Sequence, residues 1–343
     1  MVQTVLGLVQ PEALGHTQMH EHLLIDLQLY LPRLLESVPD AKRHLVDEEI
    51  DLGNVGWILR HVANEDNLRL SDTADAIEEL RLYREAGGGT VVDVTSHGIG
   101  RDPAGLEEIS EASGVHVVMG SGYYIAASHP ADVHEASVSQ LGERITHDVV
   151  DGPDGSGVKP GMIGEIGMGW PPHPDEDKVL KAAAAAQTAT GVSLTIHPGH
   201  DPQAPIAAIE TVRAARGDPE RTIVGHLDRT LFTVESMLEL AATGCYLEFD
   251  FFGLETSRYY KGVNVPNDAG RIDYLIALVE AGFARQLLIS MDVYSKTRLA
   301  KYGGDGYAHI LDNVIPLMRA KGMSDDEIRT IVVKNPMRAL TIA

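Results

Sequence analysis

The chain has a single cysteine, Cys245, among 343 residues, so an intramolecular disulfide is excluded and a reducing compartment, the cytoplasm, is expected. Cys245 sits in an apolar strand pattern and reads as inert core. Basic residues are also scarce. Against 50 Asp and Glu there are 28 Lys and Arg, and the formal charge of −22 argues against nucleic acid or an anionic membrane as partner, because phosphate would be repelled over most of the surface. No apolar run approaches the roughly 18 residues that span a bilayer. The N-terminal MVQTVLGLVQ lacks a basic region ahead of its short apolar stretch and reads as mature structure, not a signal peptide. Aromatic residues make up only 5%, with no stacking ladder, and neither a P-loop nor a nucleophile elbow is present. Nucleotide and serine chemistry are therefore disfavoured, and a small-molecule substrate is expected.

What is present is a repeated alternation of short apolar strands with amphipathic helices. Eight strands are read: Gly15 to Leu24, Thr90 to Ser96, Val115 to Gly122, GMIGEIG, Val192 to Gly199, Thr222 to Asp228, CYLEFDFFG, and Gln286 to Asp292. Between them lie helical stripes such as Asp72 to Ala86 and the alanine-rich run from Pro174 to Thr190, which ends at Gly191. Consecutive parallel strands joined by helical crossovers close into a (β/α)8 TIM barrel, an α/β fold. A dinucleotide-binding sheet would need a glycine fingerprint after its first strand, and none is there. A single domain over residues 1–343 is expected, with an insertion after strand one (Asp26 to Leu70) and two extra helices after Tyr307. A short strand pair, Val2 to Val9, is placed over the barrel bottom.

Side chains alternate along a strand, so His20 and His22 face one way and Glu21 the other. A lone His-X-His means little among fifteen histidines. In a barrel of this kind, however, working residues gather at the C-terminal strand ends, where Glu165, His197, His226 and Asp292 also fall. Six ligand-type side chains then converge on one mouth. Four imidazoles and two carboxylates suit two divalent ions sharing a bridge, with Zn²⁺ favoured and Mn²⁺, Co²⁺ and Fe²⁺ open. Past the strand ends, Arg229, Lys296, Arg298 and Lys301 form a local reversal of the overall charge. They are expected to make an anion pocket, with salt bridges to Asp228, Asp250 or Asp305 as the alternative.

GHTQMHEHL, GMIGEIG, TIHPG, GHLDRT and SMD resemble the successive strand motifs of the phosphotriesterase family, within the amidohydrolase superfamily. VQTVLGLV, the Trp-Pro after IGEIG, GCYLE and KTRLAKYGG extend the resemblance to its phosphotriesterase-related branch over nearly the whole chain. The resemblance implies that His20, His22 and Asp292 hold the more buried metal, that His197 and His226 hold the more exposed one, and that Glu165 bridges them. Many members use a carboxylated lysine as that bridge. Lys159 and Lys181 are not placed to serve, and a glutamate needs no carbon dioxide to mature; the difference puts organophosphate hydrolysis in doubt.

A metal-bridging hydroxide would be the nucleophile, and Asp292 would accept its proton; Asp292 and Glu165 are thus the catalytic pair. By resemblance Tyr124 would orient the substrate carbonyl, and a homodimer is implied. The branch implies a small anionic amide as substrate, of N-acyl amino acid or N-acetyltaurine type. A lactonase or phosphotriesterase is the alternative, and a non-catalytic binding protein on the same barrel is the reading from another class.

Overall fold

The computed structural model describes residues 1–255 and 263–343. An antiparallel hairpin of β1 (Val2–Thr4) and β2 (Gly7–Val9), with Val2 opposite Val9, comes first. The Val5 N–H after β1 donates to Val117 near the start of a barrel strand, so the hairpin covers the barrel bottom as expected. β3 (His16–Glu21) is buried along its full length. After it, β4 (Ile25–Asp26) and β5 (Arg69–Leu70) pair antiparallel and pinch the insertion at its neck.

The other barrel strands are β6 (Gly88–Asp93), β7 (His116–Met119), β8 (Met162–Gly167), β9 (Ser193–His197), β10 (Thr222–Val224), β11 (Tyr246–Phe249) and β12 (Leu287–Ile289). Runs such as TVVD, HVVM and SLTI have no polar alternation because these strands are covered on both faces. They form parallel sheets in the orders β3-β6-β7 and β8-β9-β10-β11-β12. Backbone hydrogen bonds join the sheets at both seams: Gly161 N–H donates to Met119 at 3.0 Å, and Asp292 N–H to His20 at 3.1 Å. The result is the (β/α)8 barrel.

Sequence and structure agree closely on the helices. Thr73–Glu85 is capped by Asp72, whose carboxylate accepts from Ala74 and Asp75. Pro174–Thr190 ends on Gly191, which adopts φ 73°. The strands, by contrast, are shorter than their apolar runs: β12 stops at Ile289, three residues before Asp292, and β10 two before His226. These two ligand-type residues have left the ladder, and both His226 (φ 53°) and Asp292 (φ 50°) are in the left-handed region.

The insertion carries α1 (Leu31–Leu35) and α2 (Val55–His61) around its own apolar centre of Val38, Val46 and Ala63, with Trp57 packed against it. Lys296 pairs with Asp66 and pins it to the loop after β12. It is a wall built onto the barrel.

At the opposite end, His16 is buried with Nδ1 2.9 Å from the Tyr83 hydroxyl, and burial pushes its pKa down to about 4. It is neutral when folded and protonates near 6.5 when unfolded. Its contribution is therefore complete above pH 6.5 and disappears as the pH falls towards 4, about 3 kcal/mol in all. Thermal melts should show a steeper loss of Tm over this window in the wild type than in His16→Phe; parallel curves would remove His16 from the acid response.

Candidate metal centre

Each of the six ligand-type residues belongs to a different turn of the barrel rim except His20 and His22, which share β3 and its exit. The fold brings all six together. Glu165, inside β8, is central: its Oε2 lies 2.9 Å from His197 Nδ1 and 3.4 Å from both His20 Nε2 and His226 Nε2, while Oε1 lies 3.5 Å from His22 Nε2. Asp292 Oδ1 is 3.3 Å from His22 Nε2 and 3.9 Å from His20 Nε2.

Among the described residues three sets that share His20 have ligand atoms all within 4.8 Å of one another: His20, His22 and Asp292; His20, Glu165 and His226; and, on the outward side of the His20 ring, His20, Glu248 and Asp250. The donors fit divalent cations. His20 Nε2 is fully buried with no hydrogen-bond partner, although Glu165 Oε2 is nearby, and His226 Nε2 and His197 Nδ1 converge to 2.7 Å. An inward-facing orphan nitrogen beside a carboxylate is costly unless something else satisfies it.

Electrostatics follow from the same packing. Burial pushes the Glu165 carboxyl up, but His197 and His20 outweigh it and hold the group well below the usual carboxylate range. Burial likewise opposes ionisation of Asp292, yet its hydrogen bond to His22 and the nearby His226 and His20 bring it to about 2. Burial lowers His197 to about 3. The imidazole is thus neutral, the form that ligates a metal.

The outward nitrogens are held by residues that the sequence reading did not assign to the site. His22 Nδ1 meets Thr95 Oγ1 at 2.8 Å, and His226 Nδ1 meets Asp250 Oδ1 at 3.0 Å. His20 Nδ1 lies 3.4 Å from both Glu248 and Asp250. Burial pushes Asp250 up to about 7 and Glu248 to about 6, with His20 opposing both. Asp228 accepts the Asp250 N–H at 2.8 Å and is itself held by buried Arg271 at 2.6 Å. The signal was in CYLEFDFFG: two acids two apart in an apolar run share a face, as His20 and His22 do.

Glu21 turns away from the ligands, as the strand parity requires. It accepts from Ser290 Oγ and Met291 N at 2.7 Å and from Val293 N at 2.8 Å, gripping the chain on both sides of Asp292.

A cavity of about 790 Å³ opens over the centre. Tyr124 lines it with its hydroxyl 3.5 Å from His197 Nε2, and Tyr30 of the insertion donates to Tyr124 at 3.0 Å. The four cations expected there lie elsewhere, Lys301 paired with Asp75. Arg229 is fully buried and donates to His197 Nε2 and to Pro198 O, both at 3.0 Å, so it braces a ligand-type histidine. Arg298 donates to the carbonyls of Met291 at 2.6 Å and Phe252 at 2.9 Å, tying the loop to two strand ends. Lys296 is bound to Asp66. Their carboxylate partners were misjudged because buried carbonyls and the insertion were not visible as competitors. Among the described residues the arginines that line the cavity are Arg33 and Arg60, both on the insertion.

The family model described as the phosphotriesterase family matches residues 1–340. N-acetyltaurine hydrolase of Homo sapiens is 40% identical over 345 residues, 99% of this chain and 97% of that protein. The Danio rerio protein of the same name is 39% identical over 346 residues, with the same coverage. Among solved structures, a resiniferatoxin-binding protein from Rhodobacter sphaeroides superposes with a TM-score of 0.94 at 32% identity, covering 100% of this chain and 96% of that one. The phosphotriesterase homology protein from Escherichia coli, complexed with phosphate in its active site, has a TM-score of 0.79 at 27% identity, covering 96% and 99%.

Proposed function

The chain belongs to the phosphotriesterase family and is a metal-dependent hydrolase, and from that premise we propose that it opens a small amide with an anionic tail, of the N-acetyltaurine kind. The observation that carries this reading is the Glu165 carboxylate set among four imidazoles at the floor of an open cavity. His20, His22 and Asp292 would hold one divalent ion and His197 and His226 the other, with Glu165 between them. When bound, the two ions supply a hydroxide nucleophile at neutral pH and polarise the scissile carbonyl.

The chain's own groups do the rest. Asp292, whose carboxyl is held at about 2, would take the proton of the attacking hydroxide and deliver it to the leaving nitrogen as the C–N bond breaks, giving a carboxylate and an amine. Burial keeps the Tyr124 hydroxyl protonated, so it donates towards the substrate carbonyl. Arg229 keeps His197 in register from behind. On the wall, Arg33 and Arg60 face the anionic tail.

The reading includes Zn²⁺ as the resident metal, a homodimer and a cytoplasmic setting. One buried cysteine, whose thiol burial raises to about 12, supports the last. No helix among the described residues is long and apolar enough to cross a membrane. A hydrolysis panel tests the activity. N-acetyltaurine and N-acetyl amino acids should turn over with at least roughly tenfold higher kcat/KM than acyl lactones or paraoxon, since the cations of the wall recognise the charged tail. Lactone turnover without amide turnover would replace this reading with a lactonase.

A further inference from the structure

Glu248 is an acid set directly above the apolar interior of the barrel. Two residues before it on β11, Tyr246 belongs to the cluster of Met19, Val92, Val118, Met162 and Leu288, and strand parity carries Glu248 to the same inward face, one layer nearer the ligand-type residues. It is fully buried. Among the described residues its Oε2 meets one side-chain donor, His20 Nδ1 at 3.4 Å, and its Oε1 has no hydrogen-bond partner. A carboxylate left half satisfied in such a place costs stability, so packing does not account for it.

Asp250 does not duplicate this contact. Its Oδ2 is equally 3.4 Å from His20 Nδ1, but that oxygen accepts the His226 N–H at 2.8 Å, and Oδ1 faces His226 Nδ1 at 3.0 Å. Asp250 thus serves His226, and Glu248 serves His20.

Gly225 adds a separate observation. A Cβ there would lie 2.8 Å from Asp250 Oδ2, 3.3 Å from His20 Nδ1 and 3.5 Å from Glu248 Oε2. The three polar groups meet this closely because position 225 has no side chain.

Building on the metal-centre reading above, we propose that Glu248 is a positioning residue for the ion of His20, His22 and Asp292, retained by the fold at a cost in stability. A metal takes an imidazole lone pair, so His20 bears its ring proton on Nδ1 when Nε2 faces Glu165. Glu248 accepts the hydrogen bond of that proton and fixes both the tautomer and the tilt of the ring. The other three imidazoles have different supports: Thr95 behind His22, Asp250 behind His226 and Arg229 behind His197. Loss of Glu248 therefore falls on one ion, not on both.

The test withdraws Zn²⁺ from the loaded wild type, Glu248→Gln and Glu248→Leu with a graded chelator, and records Tm for the loaded and stripped forms. In Glu248→Leu one of the two affinities should fall roughly ten- to a hundredfold while the other stays within about threefold. Glu248→Gln keeps an acceptor for the Nδ1 proton and should lose less. Stripped Glu248→Leu should melt no lower than stripped wild type, because an apolar side chain replaces a half-satisfied acid, yet it should gain less Tm on loading. Unchanged affinities, equal weakening of both ions, or a lower Tm of the stripped variant would overturn the positioning role and leave Glu248 a packing residue. Three ions per wild-type chain would overturn it differently, by making Glu248 and Asp250 ligands of a further ion beside His20. A wild type that holds no divalent ion would end the metal-centre reading itself.

Discussion

Glu165→Ala should give a folded protein that retains one divalent ion or fewer per chain, against two in the wild type, and loses kcat/KM on the order of a thousandfold. The barrel should survive, because the backbone bond from Glu165 N–H to Val94 and the flanking apolar residues of β8 are untouched. What disappears is the only carboxylate within 3.5 Å of all four imidazoles among the described residues. His197 and His226 then have no acidic partner facing them from the cavity floor except distant Asp292, 4.0 Å from the His226 ring. Metal analysis after dialysis against a weak chelator, with far-ultraviolet circular dichroism as the folding control, reads the outcome. Unchanged metal content would refute Glu165 as the bridge. The same measurement without added carbon dioxide or bicarbonate should give full loading of the wild type, since a glutamate needs no carboxylation.

The second large effect is expected at a residue that touches no ligand atom. Glu21 is fully buried, and burial pushes its carboxyl up to about 7 against the bonds it accepts from Val293, Ser290 and Met291. Its two oxygens receive three donors, all from the segment that carries Asp292. In Glu21→Gln one oxygen becomes an NH₂ group facing a backbone N–H. A buried donor is left without an acceptor, costing about 1–3 kcal/mol of stability. More tellingly, Asp292 loses its fixed position. On the scale of other groups that orient metal ligands, kcat should fall roughly ten- to a hundredfold with KM little changed. A lower Tm with an unaltered kcat would make Glu21 a packing residue only.

Both residues show how differently parts of this molecule can be read from its sequence. The barrel was legible because its signals are local: apolar β-branched runs of strand length, helices opened by Asp72 or Pro174 and closed by Gly191. So was the clustering of six ligand-type residues, since a strand end carries its side chain to the same rim in every βα unit. The anion pocket was not. Arg229, Lys296 and Arg298 were judged by their distance in sequence from strand ends, but a guanidinium goes to whatever acceptor the packing leaves uncovered. For Arg298 those acceptors are the carbonyls of Met291 and Phe252, and for Lys296 the acid is Asp66, some 230 positions away in the chain. The two arginines that line the cavity among the described residues, Arg33 and Arg60, were hidden inside an insertion whose helices are too short to announce their orientation. Asp250 and Glu248 were legible in principle, by the same two-residue spacing that drew attention to His20 and His22.

The neck of that insertion has a wider consequence. Ile25 opposite Leu70 and Asp26 opposite Arg69 make a junction only two residue pairs long, and between them runs much of the cavity's substrate-facing wall as one continuous stretch. The ligand-type residues are spread over five other strand ends. Recognition and chemistry are therefore encoded in separable lengths of the gene: an exchange of one short cassette between relatives can retarget the enzyme and leave its reaction intact, so specificity in such barrels can drift faster than mechanism.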